Sequence, residues 1–349
     1  MLIEIINPQF QTAIFFLIFF VVLLLSVKYV RLESFFSIDV TNQIKGFAIL
    51  AIVFSHIGYS LSHDDFLYPL SVLGGVGVNL FLFLSGFGLT LSEIKNPLSP
   101  IQFYKKRLLR LFLPLWITIS ILLAADFFIL HRVYTLTEVI KSYLGFFPRN
   151  DLFINLDSPL WYFTAIFFYY LIYPLVYIKK FPYFTPIFIV AITYILFNFS
   201  LPVSEDTVKI YKLHTLAFPI GILLALIINK IKLNLPNIFK LCLFILAFLI
   251  FLYTSIYSGV GDDPKIEQSI SLITALSIIT VFSLSKLRFT LFSVFGLVSY
   301  EIYLIHWPIL SRYGYFYDIT PPYLATLLEI VLIFVLAFIL QKITSLIKL

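Results

Sequence analysis

Apolar stretches of about twenty residues, each closed by a short polar or charged segment, follow one another along nearly the whole chain. They fall at 9–30, 43–61, 73–92, 108–130, 160–178, 183–200, 212–229, 238–257, 267–285, 291–311 and 322–342. Each is long enough for a helix to cross roughly 30 Å of hydrocarbon. The runs are continuous and do not alternate with the period of two expected of barrel strands. The pattern predicts an all-α fold, a polytopic transmembrane helix bundle of about eleven spans. The first run follows no basic segment, since Glu4 is the sole charged side chain before it, and it ends without a small-residue cleavage pattern. It is expected to be a true span and not a removable leader.

Composition sharpens the picture. The 349 residues are 61% apolar and 12% charged, with a mean hydropathy of +1.01. A soluble domain carries about twice that share of charge. Nothing in the chain is polar enough to form a separate soluble domain, so residues 1–349 are expected to make one integral-membrane domain, with 9–30 an additional N-terminal span before a core at 43–342. The net charge of +6 does not mark a nucleic-acid binder, because the basic residues lie scattered in short loops between spans. Sorted into alternate loops, 17 of the 24 Lys and Arg fall on one side and 7 on the other. The positive-inside bias then puts the N-terminus outside and the C-terminus in the cytoplasm, in a multi-pass protein of the cell membrane. The single cysteine, Cys242, excludes an internal disulfide and a cysteine metal cluster, and its apolar surroundings read as core. No metal site is expected.

The most informative stretch is Asn42–Tyr59, an apolar run holding Lys45 and His56. Eleven positions at ~100° make three turns plus about 20°, so one helical stripe carries both. They stand roughly 16 Å apart along the axis, the cation at the cytoplasmic edge and the imidazole in the outer half of the membrane. A titratable group at that depth is costly and marks a candidate site, and imidazole suits proton removal from an attacking hydroxyl. Ser55 points about 100° away from His56, so a Ser–His nucleophile pair is not expected.

Further candidates follow along the chain. Glycines in Gly74–Thr90 read as sites of close helix approach, and Phe83 stands where a nucleophile elbow around Ser85 would need glycine. Lys105, Lys106, Arg107 and Arg110 crowd one membrane edge, and Arg107 and Arg110 share a helix face, where guanidinium forks match phosphate oxygens. Trp161 opens an aromatic span and is a candidate substrate contact, as is His306. Glu301, in the same span as His306, is a second catalytic candidate expected to orient His56 or to pair with a base. Glu329 reads as a helix-packing polar group. The outer loops carry the acidic pairs Asp64–Asp65, Glu205–Asp206 and Asp262–Asp263, read as solvated, and the long loop 131–159 with His131, Arg132, Arg149, Asp151 and Asp157 offers a vestibule for a hydroxyl-rich acceptor.

Four stretches together resemble the integral-membrane acyltransferase family 3, whose members O-acetylate sugars and cell-envelope glycans. They are the K-G-x-A-I-L run from Lys45 to His56, G-V-x-x-F-x-F-L-S-G-F from Gly77 to Phe87, R-x-x-R-x-x-x-P-L-W from Arg107 to Trp116, and S-Y-E-I-Y-L-I-H-W-P from Ser299 to Pro308. The resemblance implies a core of about ten helices, an acyl-CoA donor, an essential His56, and Lys45, Arg107 and Arg110 handling the donor. The chain departs from the family pattern twice. Lys45 stands where arginine is usual, keeping the charge and losing the fork. Thr164, Ala165 and Ile166 stand where many members carry a glutamate pair after the tryptophan. No fused hydrolase-like module is expected to take part.

The expectation is therefore transfer of an acetyl group from cytoplasmic acetyl-CoA, as co-substrate, to a hydroxyl of a sugar or cell-surface glycan, with His56 as general base. The rival reading is a transporter or flippase of a lipid-linked sugar or small solute, using Lys45, His56 and Glu301 as a polar line.

Overall fold

A computed structural model describes residues 5–30, 36–60, 66–150, 156, 159–230, 236–259 and 263–347. Asp64, Asp65, Asp151, Asp157 and Asp262, together with Arg31, Lys232 and Lys348 of the loop-charge count, lie outside the described residues. The chain packs as two compact units, Met1–Phe81 with Leu233–Ala337 and Leu82–Lys232 with Phe338–Leu349.

The first unit begins with α1 (Pro8–Leu25), which carries proline in its first turn and ends on Ser26. The predicted span ran on to residue 30, but Val27–Tyr29 forms a short strand, β1, paired antiparallel with β2 (Leu287–Phe289). Helix α2 (Ile38–Ser60) is continuous, so the stripe joining Lys45 and His56 is real. The phenyl rings of Phe15 and Phe19 meet Phe54 edge-on at 5.5 and 5.6 Å, fastening α1 to α2. Helix α3 (Gly74–Lys95) starts in this unit and runs into the other.

The second unit contains α4 (Pro100–Leu130), α5 (Leu136–Tyr143), α6 (Trp161–Val176), α7 (Phe184–Leu196), α8 (Glu205–His214) and α9 (Ala217–Lys230). Both α4 and α5 open with a capping box, Ser99 with Gln102 and Thr135 with Glu138. Each box satisfies donors that a helix start leaves unpaired. Glu205 and Asp206 lie in the first turn of α8, where the helix dipole favours acids. Asp206 also pairs with Lys209 at 2.8 Å, so this acidic pair is a helix start at the surface.

The chain returns to the first unit with α10 (Asn237–Ser255), α11 (Pro264–Leu284), α12 (Thr290–Leu297), α13 (Ser299–Arg312), the single turn α14 (Phe316–Ile319) and α15 (Pro322–Leu346), whose last turns belong to the second unit. Asp263 caps α11 by accepting from the Lys265 amide. Cys242 is exposed on α10, which buries little beyond Ala247 and Ser255. The expectation of a core cysteine is thus corrected: α10 is apolar because its outer face meets lipid, which is as apolar as leucine.

Among the described residues, eight helices are long and apolar enough to cross a membrane, with α8 and α9 counted together as Glu205–Lys230. A ninth span arises if the bent pair α12–α13 is counted as one, and α6 and α7 are shorter apolar helices. These eleven segments correspond to the eleven predicted runs. The protein is an all-α, multi-pass membrane bundle, and among the described residues α12 and α13 form a sharply bent pair with an 80° break between them.

Candidate functional site

Helix α2 is held by close backbone contacts. A Cβ placed on Gly46 would stand 1.8 Å from the Phe292 carbonyl oxygen, and one on Gly296 would stand 1.8 Å from that of Asn42. The axes of α2 and α12 therefore approach as closely as only glycine allows. On another side α3 closes in through Gly77, whose Cβ would meet the Ala48 oxygen at 2.6 Å, and through Gly74, which faces Ser55. The start of α2 is locked by polar bonds: Gln43 Oε1 accepts from the Phe289 amide at 2.9 Å, and Asp39 pairs with the buried Arg288 at 3.2 Å. Arg288 also donates to the Ser285 carbonyl at 2.7 Å. Its burial, the largest influence, lowers its pKa from the usual arginine value, opposed by the Asp39 charge.

With α12 fixed on α2, the 80° break at Val298 aims α13 so that His306 meets His56. His56 Nδ1 and His306 Nε2 are 2.6 Å apart, with ring planes within 10° of parallel. His306 is fully buried, whereas His56 keeps part of its surface open. Trp307 lies against the His56 ring, 5.4 Å between centroids.

The hydrogen bonds assign the tautomers. His306 Nδ1 lies 3.1 Å from the Ile302 carbonyl oxygen and 2.9 Å from that of Tyr303. Carbonyls only accept, so Nδ1 carries the hydrogen and, in the neutral ring, Nε2 offers its lone pair. That lone pair must accept from His56 Nδ1–H. The remaining nitrogen of His56, Nε2, is then the unprotonated one, which is the state a base needs.

Glu301 takes no part in this pair. Among the described residues no hydrogen bond or ion pair joins it to His56 or to a basic side chain, so the expected orienting contact is corrected. Glu301 sits in the first turn of α13, where a carboxylate meets the positive end of the helix dipole. Five residues separate it from His306, about 140° around the axis, so a neighbour facing one does not face the other. His306, expected as a substrate contact, occupies the partner position instead. Lys45 is half-buried three turns below His56 and has no hydrogen bond or ion pair among the described residues.

The remaining candidates belong to the second unit. Arg107 is half-buried beside Tyr170, Tyr173 and Arg110, and its buried Nε has no hydrogen-bond partner among the described residues. Arg110 is exposed. Ser85, on α3, is hydrogen-bonded by the hydroxyls of Tyr162 and Tyr170, and Tyr170 and Tyr173 of α6 lie beside Arg107. Trp161 lies on a different face of α6, stacked on the buried His214 at 5.6 Å. Neither His214 nor this stack was expected from the sequence. Among the described residues no group of three or more His, Cys, Asp or Glu side chains gathers as a metal ion would require.

The family model of the acyltransferase domain matches residues 37–341. The chain belongs to this family. It is a membrane acyltransferase, and every candidate named above falls inside the matched segment, which α1 precedes. Neither the curated proteins nor the solved structures compared with the acyltransferase gave a match.

Proposed function

We propose that this acyltransferase moves an acetyl group from cytoplasmic acetyl-CoA to a hydroxyl of a sugar or cell-surface glycan, with His56 as the general base and His306 as its positioning residue. The observation that carries the reading is the His56–His306 bond, which leaves His56 Nε2 as the unprotonated nitrogen. His56 Nε2 takes the proton of the acceptor hydroxyl as its oxygen attacks the thioester carbon. The carbon–sulfur bond breaks, the ester forms, and the proton passes from His56 to the departing thiolate to give the free thiol. The transient imidazolium keeps donating from Nδ1 to His306, so its charge is spread towards the carbonyls of Ile302 and Tyr303.

Arg107 and Arg110 bind the phosphates of the donor, for which the unpartnered Nε of Arg107 is the supporting feature. Lys45, on the stripe of His56, attracts the same anionic molecule. The N-terminus faces outside and the C-terminus the cytoplasm of a cell-membrane protein, as the distribution of Lys and Arg favours. Glu301 keeps a structural place at the start of α13.

The test is mass spectrometry of surface glycans from cells carrying the wild-type chain, His56→Ala, or neither. One added acetyl per modified sugar in the wild type alone is expected. Equal acetylation by a folded His56→Ala protein would overturn the assignment of the base. Absence of any acetyl-CoA-dependent thermal shift would overturn the donor.

A further inference from the structure

The second unit holds a cavity that the acyl-transfer chemistry does not use. It has a volume of about 200 Å³ and is walled almost entirely by carbon, with Trp161, Ala165 and Phe168 of α6, Leu196 at the end of α7, Phe197 just beyond it and Tyr211 of α8 among its lining. For scale, an apolar cavity of about 150 Å³ stays dry and takes one benzene. This one has room for a segment of roughly eight carbons. Phe146 lines it and also lines a second, polar cleft of about 310 Å³ that contains Lys141, Ser142 and Arg149. Lys212 places its ammonium 5.8 Å over the ring of Phe197, another wall of the apolar cavity. An apolar compartment thus adjoins one bearing hydroxyls, two cations and the Glu138 carboxylate, which is engaged with Thr135, and the two share Phe146.

We propose that this pair of compartments binds the acceptor as a phosphorylated lipid. Its hydrocarbon chain occupies the cavity at Trp161, and its phosphate and sugar lie in the cleft at Arg149, with Lys212 at the rim. The role of the bound molecule as acceptor rests on the acyl-transfer reading; its binding does not. A free sugar phosphate fits only the cleft, and a neutral lipid only the cavity. The donor's chain is the less suitable occupant. Residues 161, 165 and 168 form one stripe of α6, while Tyr170 and Tyr173, beside Arg107, lie about 140° away around the axis. Within a bilayer an apolar cavity gains nothing from water exclusion, so selection comes from packing the chain and from the charge on the rim.

The experiment uses the full chain in lipid nanodiscs without acyl donor, and a polyprenyl-phosphate sugar with a diazirine on its chain as the probe. Light-dependent adducts are expected on the peptides holding Ala165 and Leu196, and a tenfold excess of the water-soluble sugar phosphate should compete weakly. Ala165→Trp and, separately, Leu196→Trp, each filling the cavity, should cut these adducts by about tenfold, a loss of roughly 1.4 kcal/mol of binding. Arg149→Ala with Lys212→Ala should weaken probe binding to a similar degree without moving the adducts. Adducts spread over the exposed faces of α1 and α10 with no enrichment at the cavity would overturn the proposal, and that result needs no variant to fold. Full competition by a neutral diacylglycerol would overturn the role of the phosphate. His56→Ala should bind the probe as the wild type does. Failure of the catalytic reading would therefore leave the binding result standing, and the reverse also holds.

Discussion

Replacing His306 by leucine removes the acceptor of the His56 Nδ1–H bond while keeping an apolar side chain in the space. In the wild type that bond, 2.6 Å long, does two things. It fixes the hydrogen on Nδ1 and, in the proposed transfer, would stabilise the imidazolium formed when His56 takes the acceptor's proton. A hydrogen bond to a charged group contributes about 1.5–3 kcal/mol. At about 1.36 kcal/mol per decade of rate, the loss corresponds to a kcat lower by about 10- to 160-fold. The donor KM should stay within about twofold, because the lost interaction belongs to the transition state and not to donor binding. His306→Gln restores an acceptor and should recover most of the rate, which a purely structural role for His306 would not predict. His56→Ala should cost about 10²–10⁴-fold, and adding His306→Leu to it should cost nothing more, because the two residues act as a unit. The assay is acetyl-CoA turnover by purified protein in nanodiscs, with a thermal melt for each variant. A His306→Leu protein that melts normally and turns over at the wild-type rate would refute the coupling, as would multiplicative losses in the double variant.

Gly46→Ala and Gly296→Ala should each lower the melting temperature, because a Cβ at either site would stand 1.8 Å from a backbone oxygen of the facing helix. Overpacking of this kind costs about 1–3 kcal/mol, whereas Gly88→Ala, with nothing within 4 Å, should be neutral or stabilising in the same melt. Glu301→Gln should keep kcat within about threefold and lose only the helix-dipole contribution of about 0.3–1 kcal/mol; a loss of activity as deep as that of His56→Ala would return the carboxylate to the mechanism. Glu329 is fully buried and among the described residues neither of its carboxyl oxygens is hydrogen-bonded, so Glu329→Met should raise the melting temperature by removing a desolvation cost of about 1–3 kcal/mol. Outside the membrane, hydrogen bonds from the Thr135 side chain and backbone hold the Glu138 carboxyl below its usual value of 4.5. The stability that cap adds to α5 is therefore present above that pH and lost as pH falls through the lower value of the folded protein, which amide exchange over residues 136–143 would register.

Most of the helical architecture was legible because membrane spans announce themselves by length and apolarity. The helix carrying Lys45 and His56 was equally legible, since nothing in residues 43–60 interrupts it. The break at Val298 was not. Residues 291–311 are as apolar as a straight span, and the turn is imposed by the fit of Gly296 onto Asn42, a contact between residues far apart in the chain. The partner of His56 depends on that turn. Sequence spacing alone could have shown that Glu301 and His306 face different ways, but not which of them faces α2. Burial was the other blind spot. Cys242 lies in a run as apolar as any core helix and is exposed, because lipid and protein interior select the same side chains. The cavity beside Trp161 and its stacked His214 arise from four elements meeting, and no local signal marks such a meeting.

The choice of partner for His56 has a physical logic of its own. A carboxylate bonded to the imidazole would stabilise the protonated ring more strongly, but it would carry a full charge at membrane depth whenever the site was empty. A second neutral imidazole, itself held by two carbonyls, leaves the resting pair uncharged and lets charge appear only when donor and acceptor are both present. The weaker assistance suits the proposed thioester donor. A thiol with an ordinary pKa near 8.5 leaves as a thiolate without strong protonation, so an activated thioester needs less help than an amide or an unactivated ester would. In the proposed transfer the imidazolium and the nascent thiolate would form a transient ion pair that collapses by proton transfer, and the pair would return to neutrality without a proton crossing the membrane. Transport coupled to a moving proton would need the polar line to run on from His56, and among the described residues no hydrogen bond or ion pair joins His56 to Glu301.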